Sequence, residues 1–440
     1  MLHIPSLEPL IPKTHTLPNG STVYLFPNDN LELVKLDFTV EGGSAHQSAM
    51  SQAHAANTLF GEATQLHTAE EMAEFMDFRG IVAERMIDTC TGNVSFYFLR
   101  RYADELLPLI REMFDRPLVP QSLFDAYRSQ REQQIRANFQ KTAYMARLAF
   151  YEQLYTFEHP LGAYAHPEDV AKLTLDHVSA FLQEHYRLEA AHIVLAGQID
   201  DELLALVDHH LSPAITSEPQ PRVVLSNPSK SLNRESINDC GSHSSQFTVH
   251  GSQSIHVAMP SAVQTSLRIG RVLPLAWSDP DYARFLVLNT ILGGYFGSRL
   301  MSNIREDKGY TYGIYSMTQV FRGSVVFYIT ADVAADVTQA AVDEVFCEIR
   351  RLQDEPVPQE ELELVRNYMM GDFIRSIDGT FELSERYRQM VATDVTEQLT
   401  RNLLDAVRSV TPEQLQHLAQ AYLTDLLTVT AGHEGPEAVR

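Results

Sequence analysis

The feature that most constrains the fold of this 440-residue chain is a long-period internal repeat. Residues 57–61 read NTLFG and residues 289–293 read NTILG, while VSFYF at 94–98 is matched by VVFYI at 325–329. A turn that contains proline and a closing apolar strand follow in the same order in both copies. Landmarks that recur in one order indicate two halves built on one structural plan.

The repeat divides the chain into two domains and a linker. Residues 216–245 are rich in Ser, Pro and Asn and lack sustained hydrophobic periodicity, which is typical of a connecting segment. We therefore predict a first half at 1–215 and a second half at 246–440. Because strand-like runs precede long helical patterns in each half, the predicted fold class is α+β, a mainly antiparallel sheet covered on one face by helices.

Composition argues against several classes of partner. The formal net charge is −23 and no basic run is present, so we do not expect nucleic acid as a partner. No apolar run approaches the length of about 18 residues that a membrane span needs, and the N-terminus lacks the apolar core of a signal peptide. We expect a cytoplasmic protein, or a periplasmic one if a signal was removed. The three cysteines, Cys90, Cys240 and Cys347, have no metal-binding or disulfide spacing.

A segment of the second half combines a basic and a phenolic side chain. Residues 303–313 read NIREDKGYTYG, in which Gly309 allows a positive φ that ends a helix before a strand begins. Arg305 near the helix end could then donate to a peptide carbonyl, and Tyr312 on the strand could donate to a developing oxyanion. The alternative is that Arg305 pairs with an adjacent acid while Tyr312 packs in the sheet.

This organisation resembles the pitrilysin/insulinase family of zinc metallopeptidases over nearly the whole chain. LPNG at 17–20, GGS at 42–44 and LGGYFGSRL at 292–300 follow the order of that family. The family places an arginine and a tyrosine seven residues apart after the last of these segments. The resemblance therefore implies that Arg305 and Tyr312 bind peptide substrate.

The inverted zinc motif of the family, His-x-x-Glu-His, is degenerate in this chain. Residues 54–58 read HAANT, so His54 remains, Asn57 replaces the glutamate and Thr58 replaces the second histidine. Two histidines at i and i+4 lie on one helix face and can hold zinc, and the glutamate activates the bound water. An amide cannot accept that proton.

The third ligand of the family, a glutamate, aligns with Gln134 or the residue before it, and a small offset would bring in Glu132. His54 and Glu132 would still be two protein ligands where a catalytic zinc site has three. We expect no catalytic residue, metal ligand or cofactor here, with His54 packed in its helix face. A cryptic site that joins His54 to His46 or His67 is the alternative, although the spacings do not match one helical face.

The leading hypothesis is a non-catalytic subunit of a heteromeric zinc peptidase. It would form half of a clamshell chamber with a homologous subunit that bears the zinc motif, and would bind unfolded peptide through Arg305 and Tyr312. We expect metalloendopeptidase activity only with that partner, and a homodimer in its absence is left open. The alternatives are a structural or assembly protein of the same fold, and a stand-alone metallopeptidase with an unusual metal site.

Overall fold

The structure is a computed structural model that describes residues 10–212, 248–249 and 254–433. The linker predicted at 216–245, with Cys240 inside it, lies outside these residues. The domain boundaries therefore stay a prediction, whereas the sheets and helices on either side are described below.

The first half forms one six-stranded sheet with helices packed against it. Its strands stand in the order β1-β2-β8-β3-β6-β5, and all neighbours are antiparallel except the parallel pair of β2 and β8. The short strands β4 and β7 pair separately. The elements in chain order are β1 (Lys13–Thr16), β2 (Thr22–Pro27), β3 (Leu33–Val40), α1 (Gln52–Leu59), β4 (Ala63–Thr64), α2 (Ala69–Arg79), β5 (Val82–Ile87), β6 (Gly92–Leu99), α3 (Ala103–Asp115), β7 (Pro117–Leu118), α4 (Gln121–Asn138), α5 (Thr142–Tyr155), α6 (Pro167–Lys172), α7 (Leu175–His185), β8 (His192–Gly197) and α8 (Asp201–His210).

The second half repeats this sheet. Its strand order is β9-β10-β14-β11-β13-β12, and again the last strand of the half lies parallel to the second one. The elements in chain order are β9 (Thr248–Val249), β10 (Ser254–Ala258), β11 (Gln264–Leu273), α9 (Pro280–Asn289), a π-helical segment (Thr290–Gly294), a second one (Met301–Asp307), β12 (Thr311–Phe321), β13 (Ser324–Ala334), α10 (Thr338–Asp354), α11 (Gln359–Ser376), α12 (Thr380–Thr393), α13 (Glu397–Ser409), α14 (Pro412–Tyr422) and β14 (Leu427–Gly432). The matching strand orders confirm the predicted α+β fold of mainly antiparallel sheets.

Alternation along β3 shows why the first sheet has two different faces. Val34, Leu36 and Phe38 point into the hydrophobic core beneath the helices of the first half. Lys35 and Asp37 point to the opposite face, as the twofold period of a strand requires. Both polar side chains are nevertheless buried, at 1% and 0% exposure. Another element must therefore cover that second face.

The covering element comes from the other half of the chain. Helix α12 packs on the first sheet, where Tyr387 lies with its ring centroid 5.8 Å from that of Phe26. In return, helix α5 of the first half packs on the second sheet, where Phe150 and Val429 share one apolar cluster. Each sheet thus has its own helices on one face and one helix of the opposite half on the other, so the halves are interlocked.

Polar contacts also hold the two halves together at this junction. Arg322, in the turn between β12 and β13, donates to Glu41 Oε2 at 2.6 Å and to the Ala392 carbonyl at 2.9 Å. Tyr151 of α5 donates to Gln319 Oε1 of β12 at 2.7 Å. Among the helices in the described ranges, none is long and apolar enough to cross a membrane.

Candidate functional site

Helix α1 carries the degenerate motif and is fixed at its start by Gln52. The side-chain Oε1 of Gln52 accepts from the backbone N–H of Ser48 at 2.7 Å, and its Nε2 donates to the His177 carbonyl at 2.8 Å. All α1 residues are buried except two, His54 and Thr58. These two stand four residues apart, so they mark the outward face of the helix.

Asn57 is turned away from that face. Its Nδ2 donates to the Asn93 carbonyl of β6 at 3.2 Å and to Tyr186 Oη at 2.9 Å. Burial raises the pKa of Tyr186, so the phenol stays protonated. The amide that replaces the glutamate therefore ties the helix to the sheet and has no access to a water molecule on the outer face.

His54 forms a hydrogen bond with a phenol from helix α4. Its Nδ1 lies 2.9 Å from Tyr127 Oη and 3.3 Å from Thr58 Oγ1. Burial, followed by the positive charge of Arg131, lowers the pKa of His54 to about 4. Burial also raises the pKa of Tyr127. Both groups are neutral near pH 7, and donation from the Tyr127 hydroxyl to Nδ1 leaves the His54 proton on Nε2.

The position of the third family ligand lies on α4, where one helix face carries Tyr127, Arg131 and Gln134. Arg131 Nη1 donates to Gln134 Oε1 at 2.9 Å. Glu132 lies off this face and pairs with Arg136 at 2.8 Å. Shifting the alignment to Glu132 therefore places no carboxylate on the helix face that carries Gln134. Tyr127 and Arg131 were missed by the sequence reasoning, although their spacing of i, i+4 and i+7 with Gln134 was a signal that one face of α4 meets α1.

These residues do not fit a zinc ion. A catalytic zinc site needs three protein donors drawn from His, Cys, Asp and Glu, and His54 is the one such donor on the outward face of α1. Arg131 places a fixed positive charge beside it. Across the described ranges, no group of three or more such donors could hold a metal ion.

The two other histidines of the cryptic-site alternative have separate surroundings. The His46 ring packs edge-on against His185, with centroids 5.1 Å apart. His67 Nδ1 lies 2.9 Å from Glu112 Oε1, near the short strand β4. The structure thus places each of the three histidines in a different contact, and in the described residues none of them belongs to a group of three or more potential metal ligands.

Two glycines set the geometry of the second segment. A side chain at Gly293 would place its Cβ 2.6 Å from the Ser316 backbone nitrogen, so the π-helical turn can approach β12 this closely with glycine alone. Gly309 has φ +68° and follows the π-helical segment that carries Arg305. The helix end and strand start expected from the sequence are both present, with the strand beginning at Thr311.

Arg305 lies over an exposed aromatic ring. Its Cζ is 4.5 Å from the centroid of Phe296, a side chain that is 60% exposed. Its Nη1 is buried and has no hydrogen-bond partner among the described residues. No salt bridge joins it to Glu306 or Asp307 in that part of the chain.

Tyr312 projects into solvent from an irregularity at the start of β12. The register with β13 shifts between Thr311 and Ile314, and the Thr311 hydroxyl holds this bulge by donating to the Asp332 carbonyl at 2.7 Å. A bulge re-aims the side chains next to it. Tyr312 is 92% exposed, so it does not pack in the sheet. The proposed role of Arg305 and Tyr312 stays a prediction.

A cavity of about 560 Å³ opens at the junction of the halves, next to the degenerate motif. First-half helices contribute His54 and Arg131, and strands of the second half contribute Arg268 and Tyr328. A volume of this size is ordinary for a ligand pocket. Cys90 lies outside it as a buried thiol, and burial raises its pKa to about 12.

The structure therefore combines two α+β halves of matching strand order with an α1 helix in which two of the positions of the inverted zinc motif are replaced. Residues 172–369 match the family model described as "Peptidase M16 inactive domain". This match lies outside α1, so the altered motif is an independent observation. Over these residues the chain is similar to the inactive-type domain of the M16 peptidase family.

Known relatives show the same similarity. The chain is 22% identical to the "Uncharacterized zinc protease YmxG" of Bacillus subtilis over 428 residues, which cover 94% of this chain and 96% of that protein. It is 23% identical to the "Non-peptidase homolog YmxG" of Helicobacter pylori over 314 residues, covering 69% of this chain and 66% of that protein. The solved peptidase M16 inactive domain from Pseudomonas fluorescens has a TM-score of 0.77 at 20% identity, with 96% and 98% of the two chains covered, and so shares the fold.

Proposed function

We propose that this chain is the non-catalytic subunit of a heteromeric zinc peptidase, in which it forms half of a clamshell chamber and binds unfolded peptides. The observation that carries the proposal is a contrast between two segments. The motif residues His54 and Asn57 are committed to hydrogen bonds inside the protein, whereas Tyr312 is 92% exposed and Arg305 keeps an unpartnered nitrogen. The proposed compartment is the cytoplasm, with the periplasm as the alternative.

In this proposal the partner is a homologous subunit with an intact zinc motif, which supplies the metal and the attacking water. The present chain holds the substrate. Arg305 donates to a peptide carbonyl, and the Tyr312 hydroxyl donates to the oxyanion that develops during attack on the amide. Strand β12 is the terminal strand of its sheet among the described residues, with β13 as its neighbour. An extended peptide could pair with backbone groups along its outer edge, which would allow many sequences to bind.

The test is peptide cleavage by the purified pair, with variants in this subunit. We expect Tyr312→Phe to lower kcat/KM by about 100-fold or more, because one oxyanion donor is lost. Arg305→Ala should weaken substrate binding by about tenfold or more. Tyr368→Phe is the matched control, since Tyr368 is an exposed tyrosine on helix α11, away from β12. Unchanged cleavage in both variants would contradict the proposed role and favour the structural or assembly protein.

The isolated subunit distinguishes the remaining alternative. We expect the purified chain to contain no stoichiometric zinc by elemental analysis and to leave unfolded peptides intact. Bound zinc together with cleavage by the chain alone would establish a stand-alone metallopeptidase instead. His54→Gln then serves as the companion variant, because it removes the one histidine on the outward face of α1.

A further inference from the structure

Three arginines from three different elements line the cavity at the junction of the halves. Arg131 comes from α4, Arg147 from α5 and Arg268 from β11. Within the described ranges, no carboxylate oxygen lies within 4.0 Å of any of these guanidinium groups. In a chain with a net charge of −23, this is a local concentration of positive charge without counter-ions.

Among the described residues that line the cavity, the single acidic one, Asp88, already accepts hydrogen bonds. Asp88 Oδ1 accepts from the backbone N–H groups of Cys90 at 2.7 Å and Thr91 at 2.6 Å. Its Oδ2 accepts from the Thr91 hydroxyl at 2.8 Å. The carboxylate therefore stabilises its own turn, and the arginines are left for a ligand.

The three guanidinium groups are positioned by uncharged partners, which are two aromatic rings and, for Arg131, the side chain of Gln134. Arg268 Cζ lies 4.6 Å from the centroid of the Tyr328 ring, and Arg147 Cζ lies 5.1 Å from that of Tyr144. Cation–π contacts of this kind orient an arginine and leave its N–H groups available. The Nε of Arg131 is buried and has no hydrogen-bond partner among the described residues.

One face of β12 leads from the exposed tyrosine to this cavity. Tyr315 and Met317 lie on that face, 40% and 41% exposed, and Gln319 and Phe321 continue it as part of the cavity lining. At about 3.3 Å per residue, an extended peptide that begins beside Tyr312 would reach Gln319 after roughly 23 Å. A peptide bound along this strand would therefore bring its own side chains to the arginines.

We infer that the cavity binds a carboxylate group of an acidic peptide, held by Arg131, Arg147 and Arg268. This inference rests on the proposed function, to which it adds the substrate class. Arginine forks match a planar carboxylate with paired hydrogen bonds, and these charge-assisted bonds are stronger than neutral ones. A peptide with an amide in place of the carboxylate leaves the charges of the site unpaired and is rejected.

The test measures binding of short labelled peptides to the full chain by fluorescence anisotropy. The probes are a Glu-containing peptide with an amidated end, its Gln counterpart with an amidated end, and the Gln peptide with a free end. We expect the Glu peptide to bind about tenfold or more tightly than the amidated Gln peptide. A similar gain for the free-ended Gln peptide would show that the site accepts the carboxylate of a chain terminus as well as that of a side chain.

Variants locate the effect. Arg131→Gln, Arg147→Gln and Arg268→Gln should each reduce the preference for the Glu peptide, while Arg350→Gln, at an exposed arginine of α10 outside the cavity, should preserve it. Thermal unfolding of each variant checks its fold. Because the peptide comparison on the unmodified chain needs no variant, it tests the inference even where a substitution prevents folding.

The outcomes separate this inference from the proposed function. Equal affinity for the Glu and amidated Gln peptides, or a preference that survives all three cavity variants, overturns the carboxylate site alone. Absence of binding to every peptide, with and without the zinc-bearing partner, overturns the proposed function as well.

Discussion

His54 and Tyr127 join two helices of the first half, with the imidazole Nδ1 2.9 Å from the phenol oxygen. Because burial lowers the pKa of the histidine and raises that of the tyrosine, the pair is uncharged near neutral pH. Helices α1 and α4 are therefore held together here by a neutral hydrogen bond. Arg131, one turn further along α4, adds a positive charge that opposes both protonation of His54 and binding of a cation.

The low pKa of His54 predicts a pH dependence of stability. Its value falls from 6.5 to about 4 in the folded chain, so the unfolded chain binds more protons between these values. The free energy of unfolding should therefore fall as the pH drops through this window. Between pH 7 and 4.5, the free energy of unfolding measured with urea should fall by about 1–2 kcal/mol less in His54→Gln than in the unmodified chain. His417→Gln, at an exposed histidine, is the control, and an equal loss in both variants would refute the assignment.

Restoring the missing glutamate should destabilise the fold. Asn57→Glu places a carboxylate opposite the Asn93 carbonyl in a buried site, where the amide now donates. We expect a loss of about 2–4 kcal/mol in the free energy of unfolding. Thr58→Glu introduces the same side chain at the exposed neighbouring position and should change stability by less than about 0.5 kcal/mol. Equal tolerance of both substitutions in urea unfolding would mean that Asn57 is not fixed by the sheet.

The buried ion pair beneath α12 predicts that substitutions of Lys35 and Asp37 have coupled effects on stability. Lys35 Nζ lies 3.0 Å from Asp37 Oδ2 and 3.3 Å from Glu385 Oε2, and the Lys35 and Asp37 side chains are almost fully buried. Lys35→Met should cost about 3–5 kcal/mol, because it leaves a buried carboxylate without its cation. Lys35→Met combined with Asp37→Leu should recover part of that loss.

The measurement for this pair is a double-mutant cycle by chemical unfolding. Lys172→Met is the control, since the Lys172 side chain is 77% exposed and its Nζ lies 3.6 Å from Asp169 Oδ1. It should change stability by less than about 1 kcal/mol. A double variant that is as unstable as the sum of the single variants would argue against coupling between Lys35 and Asp37.

Two helical glycines predict opposite responses to alanine. Gly293→Ala should destabilise the chain by about 1–3 kcal/mol, because the new Cβ would meet the Ser316 nitrogen at 2.6 Å. Gly371→Ala, in α11, meets nothing within 4 Å and should stabilise the chain by about 0.5–1 kcal/mol. Differential scanning calorimetry compares the two variants. A similar shift of Tm in both would show that the close approach of the π-helical turn to β12 is not required.

The sequence was most informative where local signals repeat. Matching segments predicted two similar halves, and the identical strand orders confirm the fold that they implied. Gly309 predicted the end of the helix that carries Arg305, because a left-handed conformation there is a local property of the chain. The replaced motif positions at 57 and 58 likewise needed no tertiary information.

Contacts between distant helices were not predictable in this way. The partner of His54 is Tyr127, and its identity depends on how α4 is rotated against α1, which periodicity does not define. The same holds for the exchange of α5 and α12. Lys35 and Asp37 alternate with apolar residues and look like a solvent-facing row until the opposite half covers them.

Because the halves exchange helices, the first half cannot complete its fold until the second half has been synthesised. A chain grows from its N-terminus, so the first sheet leaves the ribosome while α12 is still unsynthesised, and Lys35 and Asp37 then face water. Completion of the fold waits for a segment more than three hundred residues downstream of that strand. Nascent chains that stop before α12 would expose the uncovered face of β2 and β8 and would be targets for chaperones and quality-control proteases.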